Sequence, residues 1–386
     1  MLDFSLSDEQ EALYKAVADF GREVVSPLAG ERDREGRFDR DVWDRCGEMG
    51  LCGLPISAEY GGQGADAVTT GIAIEALAYG GHDAGLLLSL GAHLTIGSLP
   101  IDLHGTPEQK AKYLPKLTTG EWIGAFGITE PDAGSDTASI KSRGVRDGGD
   151  WVLNGTKTFI TNGPICDVFT VVVRTNPDSG PGQGMTAFIV DRDTPGLSVG
   201  KHLDKMGNRS SPTSEMIMED VRVPDSQRLG DEGTALWKVA FECFDWERTV
   251  MIASGIGGMQ ASLERCVSYA KEREAFGKPI GNFQAIGHKL AEMKIRLETA
   301  RLALRHAAWL KDQGKPHMVE ASIAKAYVAE CAIKNAEEAI QIFGGWGYIK
   351  EFPVERGWRD AKLSSIGGGT TEIQKLIISR VLLGEG

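Results

Sequence analysis

The hydrophobic pattern changes period twice along the chain, from helical to strand-like near residue 122 and back to helical near 233. A stripe of period 3.6 cannot bury itself as a strand, nor a period-2 alternation as a helix, so the chain must fold as three blocks. In the first block a capping signal at Ser7 and Gln10 opens a run in which Leu13, Val17, Phe20 and Val24 recur at helical spacing until Pro27. Helical patterning continues at 41–49, 68–79 and 86–99, with a glycine-rich run, PISAEYGGQG (55–64), between the first two and a polar stretch at 104–112. The second block is rich in β-branched residues at 168–175, 186–190 and 217–223, and Asn154–Gly155 between apolar-containing arms predicts a hairpin turn. In the third, 250–270, 285–312 and 318–343 read as long amphipathic helices. Leu290, Met293, Leu297, Ala300 and Leu304 share a face of the second, where Glu292 and Arg296 form an i,i+4 pair. The expected class is α+β multidomain: an N-terminal α-helical domain (1–121), a middle antiparallel β domain (122–232) and a C-terminal four-helix bundle (233–386).

At 386 residues the chain is long enough for two or three domains with cores of their own. A net charge of -12 argues against nucleic acid or an anionic membrane as the main partner, while leaving room for a local anion site. The six cysteines form no Cys-x-x-Cys or Cys/His cluster, so neither a zinc site nor a disulfide framework is suggested, and buried thiols in a reducing cytoplasm are expected. The first residues carry no basic flank followed by an apolar run, and no uninterrupted apolar segment approaches membrane-spanning length. A cytoplasmic protein without membrane insertion is the expectation.

Three stretches carry chemistry. FGITEPDAGSD (126–136) reads as a strand end entering a tight loop, broken by Pro131 and Gly134, with Thr129, Ser135 and Asp136 beside exposed amides. Such a loop can present several donors to a planar or anionic cofactor, although alone it is equally a polar turn. REAFG (273–277) offers an Arg fork suited to phosphate, or a surface salt bridge between Arg273 and Glu272 or Glu274. QIFGGWGYIKE (341–351), continuing to Arg356 and Asp360, places glycines where a backbone can approach a ligand closely.

In order, spacing and chain length these stretches resemble the acyl-CoA dehydrogenase family, and the resemblance covers essentially the whole chain. It implies an FAD enzyme acting on an acyl-CoA substrate, handing electrons to an electron-transfer flavoprotein and assembled as a homotetramer, a dimer of dimers. Phe126, Ile128, Thr129, Gly134 and Ser135 match the segment along the isoalloxazine, and Phe159, Ile160 and Thr161 the segment at its other edge. Arg273 matches the residue that meets the FAD pyrophosphate from a neighbouring subunit, with Phe276, Gln284, Gln341, Gly344 and Gly345 as further contacts across that interface. Thr370 and Glu372 match later cofactor contacts, and Ser135, Asp245, Arg248 and Gly369 match positions along the acyl-CoA channel.

The implied reaction removes an α proton while the β hydrogen leaves as hydride, so it needs a positioned, desolvated carboxylate. Most of the family supplies it just before a Gly-Thr pair, where this chain has Gly368 in IGGGTTEIQ (366–374). FDWER (244–248) supplies Glu247 instead, which resembles the isovaleryl-CoA and long-chain branches, where the base stands here and a small residue stands at the other site. Glu247 is therefore the expected base, with the Gly368 N–H polarising the thioester carbonyl as in the family. The same site can run in reverse as a 2-enoyl-CoA reductase. It can also act as an oxidase or on carrier-bound acyl groups, or, given Gly368, bind flavin without turnover. Leu87 stands where glutaryl-CoA dehydrogenases place an Arg for a distal carboxylate, so an apolar acyl tail is the default, with His82 or His93 as possible receivers of a polar one.

Overall fold

A computed structural model describes residues 5–385. The N-terminal helices are α1 (Asp8–Phe20), α2 (Ala29–Glu35), α3 (Arg40–Glu48), α4 (Ala67–Gly81), α5 (Ala84–Gly91), α6 (Leu99–His104) and α7 (Pro107–Thr118). Ser7 and Gln10 make the expected reciprocal capping box at the start of α1. A widened π turn, Ala92–Ser98, joins α5 to α6, so Ala84–His104 forms one apolar rod of 21 residues, whose most apolar 18-residue window has a mean hydropathy of 1.5. That length corrects the expectation that no apolar segment nears membrane-spanning size. The rod is a core helix, with 83% of its most apolar window buried inside the protein. The polar stretch at 104–112 is also more ordered than its composition implies, because Thr106 and Gln109 form a second capping box that opens α7.

The middle strands are β1 (Gly124–Gly127), β2 (Arg143–Asp147), β3 (Asp150–Thr161), β4 (Val168–Arg174), β5 (Met185–Asp191), β6 (Leu197–His202), β7 (Thr213–Pro224) and β8 (Arg228–Leu229). They form one sheet in the order β6-β7-β3-β2-β4-β5-β8, with β1 added beside β4. Pairing is mainly antiparallel, but β1 runs parallel to β4, and β2 meets β4 in parallel at Arg143 and Arg174. Asn154–Gly155 is not the hairpin turn: both residues lie inside β3, and the chain reverses at Gly148–Gly149 between β2 and β3. The turn-forming dipeptide serves a bulge instead, since the register against β7 shifts between Leu153 and Gly155. The Asn154 amide also clasps Asp220 on β7 through two hydrogen bonds of 3.0 and 2.9 Å.

The C-terminal helices are α8 (Phe241–Trp246), α9 (Ala253–Glu272), α10 (Gln284–Asp312), α11 (Met318–Phe343), α12 (Val354–Lys362) and α13 (Thr371–Leu383). On α10 the stripe Met293, Leu297, Ala300 and Leu304 is buried, and Glu292 pairs with Arg296 at 3.6 Å. The bundle does not close on itself. Trp43, Leu77 and Leu86 from the N-terminal helices share one core with Val250, Ile256, Leu297 and Val328, so the outer blocks pack as a unit. All six cysteines are buried and unbridged. The middle block is locked to this unit by the loop after β6. There the Asn208 N–H donates to Asp360 Oδ1 at 2.6 Å, and Arg209 donates to the Asp33 carbonyl at 2.9 Å.

Within the sheet, Glu130 and Lys157 form a buried ion pair of 2.7 Å. The other Glu130 lone pairs accept the backbone N–H groups of Lys141 and Ser142, and Lys157 Nζ also donates to the Ile128 carbonyl. Lys157→Met strands a buried carboxylate and is expected to destabilise the protein by about 3 kcal/mol. A lowered urea midpoint at unchanged slope reads this out, and a loss below about 1 kcal/mol overturns it.

Candidate active site

Glu247 opens a π turn (Glu247–Met251) between α8 and α9, and Gly368 lies in the glycine run just before α13. A Cβ placed on Gly368 would stand 3.2 Å from the Glu247 carboxyl carbon and 3.4 Å from each of its oxygens. Gly368 also has φ +65°, a left-handed conformation that suits glycine. The two positions therefore share one volume, and a carboxylate at 247 fills the space a side chain at 368 would take. Among the described residues the Glu247 carboxylate makes no hydrogen bond or ion pair. It faces a cavity of about 260 Å³, whose walls include Leu87, Leu88, Met251 and Met259. Burial pushes its carboxyl above the usual carboxylate range, against the opposing pull of Arg248 and Lys325.

The backbone at 368–370 is held from one side. Lys325 Nζ donates to the Gly369 carbonyl at 2.6 Å, and the Gln374 amide donates to the carbonyls of Gly368 and Gly369 at 3.2 and 3.1 Å. Thr370 caps α13 by accepting the Ile373 N–H. Among the described residues the Gly368 N–H donates no hydrogen bond. Lys325 was not singled out in the sequence. Its signal is a lone charge on the buried face of α11, among Ala321, Ser322, Ala324 and Val328. Burial lowers its ammonium to about 8.

The loop at 126–136 is stitched to the end of β3. The Thr158 N–H donates to the Thr129 carbonyl at 2.9 Å, beside the Glu130–Lys157 pair. This juxtaposes Thr129 with Phe159, Ile160 and Thr161. Phe126, Ile128 and Ile160 turn their side chains into the core and leave only backbone for a ligand, whereas Phe159 has φ +57° and a side chain 68% exposed. Gly134 and Ser135 lie exposed on the loop. The Phe126 ring meets Phe244 edge-on at 6.3 Å, which ties the loop to the helix that carries Glu247.

A second constellation lies elsewhere. Arg273, Gly344 and Gly345 line a separate cavity with Tyr269 and Trp346. Among the described residues Arg273 forms no ion pair, so neither Glu272 nor Glu274 claims it. A Cβ on Gly344 or Gly345 would meet nothing within 4 Å. Phe276 is 95% exposed, and Gln284 and Gln341 are exposed as well. None of these residues lines the cavity at Glu247.

Other site expectations divide. Arg248 lines the Glu247 cavity, and Gly369 approaches it through the contacts above. Asp245 instead engages Lys311 and His317, the latter at 2.7 Å. Glu372 is exposed on the first turn of α13, where backbone and Thr370 hydrogen bonds hold its carboxyl below the ordinary range. His93 is a core residue: its Nδ1 accepts the Gly124 N–H at 3.0 Å, its Nε2 sits against the Cys52 and Leu117 carbonyls, and burial lowers it to about 4. It cannot receive a substrate tail. His82 does line the cavity.

An exposed ring beside a loop of free amides, an uncompensated Arg and open glycine backbone are what a flavin dinucleotide requires, and the residues present fit one. The chain matches the N-terminal, middle and C-terminal domain models of acyl-CoA dehydrogenases over residues 7–121, 125–221 and 237–383. It belongs to the acyl-CoA dehydrogenase family and is an FAD-dependent oxidoreductase. The crystal structure of butyryl-CoA dehydrogenase from Megasphaera elsdenii superposes with a TM-score of 0.95 at 40% identity, covering 99% of this chain and 100% of that one. An FAD complex of PigA superposes with a TM-score of 0.96 at 38% identity over 100% of both chains. The L-prolyl-[peptidyl-carrier protein] dehydrogenase of Pseudomonas fluorescens is 40% identical over 99% of this chain and 100% of its own length.

Arg273→Ala is expected to lower flavin retention on gel filtration at least ten-fold, as the ratio of flavin to protein absorbance. A full flavin complement overturns the phosphate assignment.

Proposed function

We propose that the protein converts an acyl-CoA thioester to the trans-2-enoyl-CoA, with Glu247 as the base that takes the α proton. The observation that carries this reading is the partnerless Glu247 carboxylate, set against the bare backbone of Gly368 inside the cavity. Bound FAD supplies the acceptor for the β hydride. Every other role falls to the chain. The Gly368 N–H donates to the thioester oxygen as enolate charge develops, a contribution larger in this water-poor pocket than in solvent. Arg248 and Lys325 stabilise the Glu247 anion, while burial keeps it basic enough to accept a weakly acidic proton. The apolar walls exclude water from the α and β carbons.

The exposed Arg273 face supports an assembly in which one protomer completes the flavin site of its neighbour, with a homotetramer, a dimer of dimers, as the assembled form. An electron-transfer flavoprotein is the proposed acceptor, in a reducing cytoplasm where the six buried thiols stay reduced. The Pseudomonas relative favours a second reading, in which the acyl group is carried on a protein-bound pantetheine rather than on CoA.

Glu247→Gln is expected to keep FAD and to slow flavin reduction by acyl-CoA by roughly 10²–10⁴-fold under anaerobic conditions. Reduction at the normal rate removes Glu247 from the role. The base acts when deprotonated, so kcat should rise with pH through a limb displaced above the ordinary carboxylate range. Because the Lys325 charge opposes that displacement, Lys325→Met should move the limb to still higher pH. An unmoved limb refutes the influence of Lys325.

A further inference from the structure

The cavity behind Glu247 extends well past the reacting carbons. One face of the π turn and α9 lines it from Glu247 through Met251, Gly255, Gly258 and Ser262 to Arg265. Those eighteen residue steps correspond to roughly 27 Å of helix at about 1.5 Å per residue. Small residues keep the passage open. A Cβ added to Gly258, or to Gly357 on the facing α12, would meet nothing within 4 Å, and Ala332 and Ala336 form the wall contributed by α11.

The far end is cationic. Among the described residues Arg265 has no hydrogen bond or ion pair, although it is half-buried and near enough to Arg356 to be repelled by it. Arg356 has one bond, to the His82 carbonyl at 2.9 Å. The acids nearby are already committed. Asp83 pairs with Arg32 at 2.8 Å and accepts from Ser210, while Asp360 accepts the Asn208 N–H at 2.6 Å. Burial raises Asp360 to about 7, which leaves it a weak counter-charge. His82, lowered by burial and these arginines to about 4, stays neutral. A half-buried cation without a partner is stabilised when a ligand supplies the anion.

We infer that the preferred acyl chain is long, runs along α9, and ends in a carboxylate that binds Arg265 and Arg356. The inference rests on the dehydrogenase reading and names its substrate class. The carboxylate site is built on α9 and α12 and not on the helix that carries Leu87, so an apolar residue at 87 does not exclude a dicarboxylic substrate.

The test uses the FAD-loaded protein with matched thioester pairs, dodecanedioyl-CoA against dodecanoyl-CoA and hexadecanedioyl-CoA against hexadecanoyl-CoA. Anaerobic flavin reduction is measured beside calorimetric binding of the 3-thia analogues, whose β sulfur releases no hydride. The ω-carboxy member of at least one pair should show at least ten-fold higher kcat/KM and tighter binding. Arg265→Gln should erase that preference while FAD stays bound. Gly258→Leu, placed in open space, should shift selectivity from these chains toward butanoyl-CoA by at least ten-fold. Equal handling of both members of each pair, with no differential effect of Arg265→Gln, overturns the inference and leaves the dehydrogenase reading intact. Selective binding of ω-carboxy analogues without flavin reduction by any acyl-CoA overturns the dehydrogenase reading and leaves the carboxylate site standing.

Discussion

The Glu247 carboxylate stands where a side chain on Gly368 would lie, which brings together two segments more than a hundred residues apart in sequence, and the rest of the site is arranged around it. The two positions share that volume, so a carboxylate at 247 is accommodated by the bare glycine at 368. Shape alone would not suit Glu247 to the proposed role of base. Its carboxylate must also stay unpaired, which requires the neighbouring cations to be engaged elsewhere, and Lys325 is turned onto the Gly369 carbonyl. That bond fixes the glycine run and keeps a counter-charge close without neutralising the acid, a compromise that a buried titratable group needs to work near neutrality.

Positioning of these two segments depends on how the three blocks are fastened. The N- and C-terminal helices share one apolar core, so α4, α5 and α9 behave as walls of a single chamber. The sheet is joined to it by polar bonds at Asn208 and Arg209 and by the Phe126–Phe244 ring contact. The buried Glu130–Lys157 pair holds the loop at 126–136 against β3. Apolar packing thus forms the chamber at Glu247, and directional polar bonds fasten the sheet to it.

Much of the architecture was legible in the sequence, because period changes are a direct imprint of helix and strand burial. The capping box at Ser7 and the buried stripe on α10 emerged at the expected residues. Asn154–Gly155 was misread because a turn-favouring dipeptide also satisfies a bulge, and only pairing with β7 decides between them. Ala84–His104 was passed over as an apolar span because Asp102 and scattered small and polar residues interrupt it. His93 looked available for a substrate because nothing local reveals that the Gly124, Cys52 and Leu117 backbone groups surround it.

The sequence by itself determined the family, the order of helical and strand blocks, and the exchange of an acid at 247 for a glycine at 368. These are properties of residue type and spacing. The tertiary structure alone decided that the exchanged positions share one volume, that Lys325 stands beside them, and that a cavity lined in part by small residues reaches an unpaired Arg265. The physical reason is that partnership and empty space are relations between distant segments. A charge is free or satisfied, and a cavity open or filled, only after helices far apart in the chain have packed together.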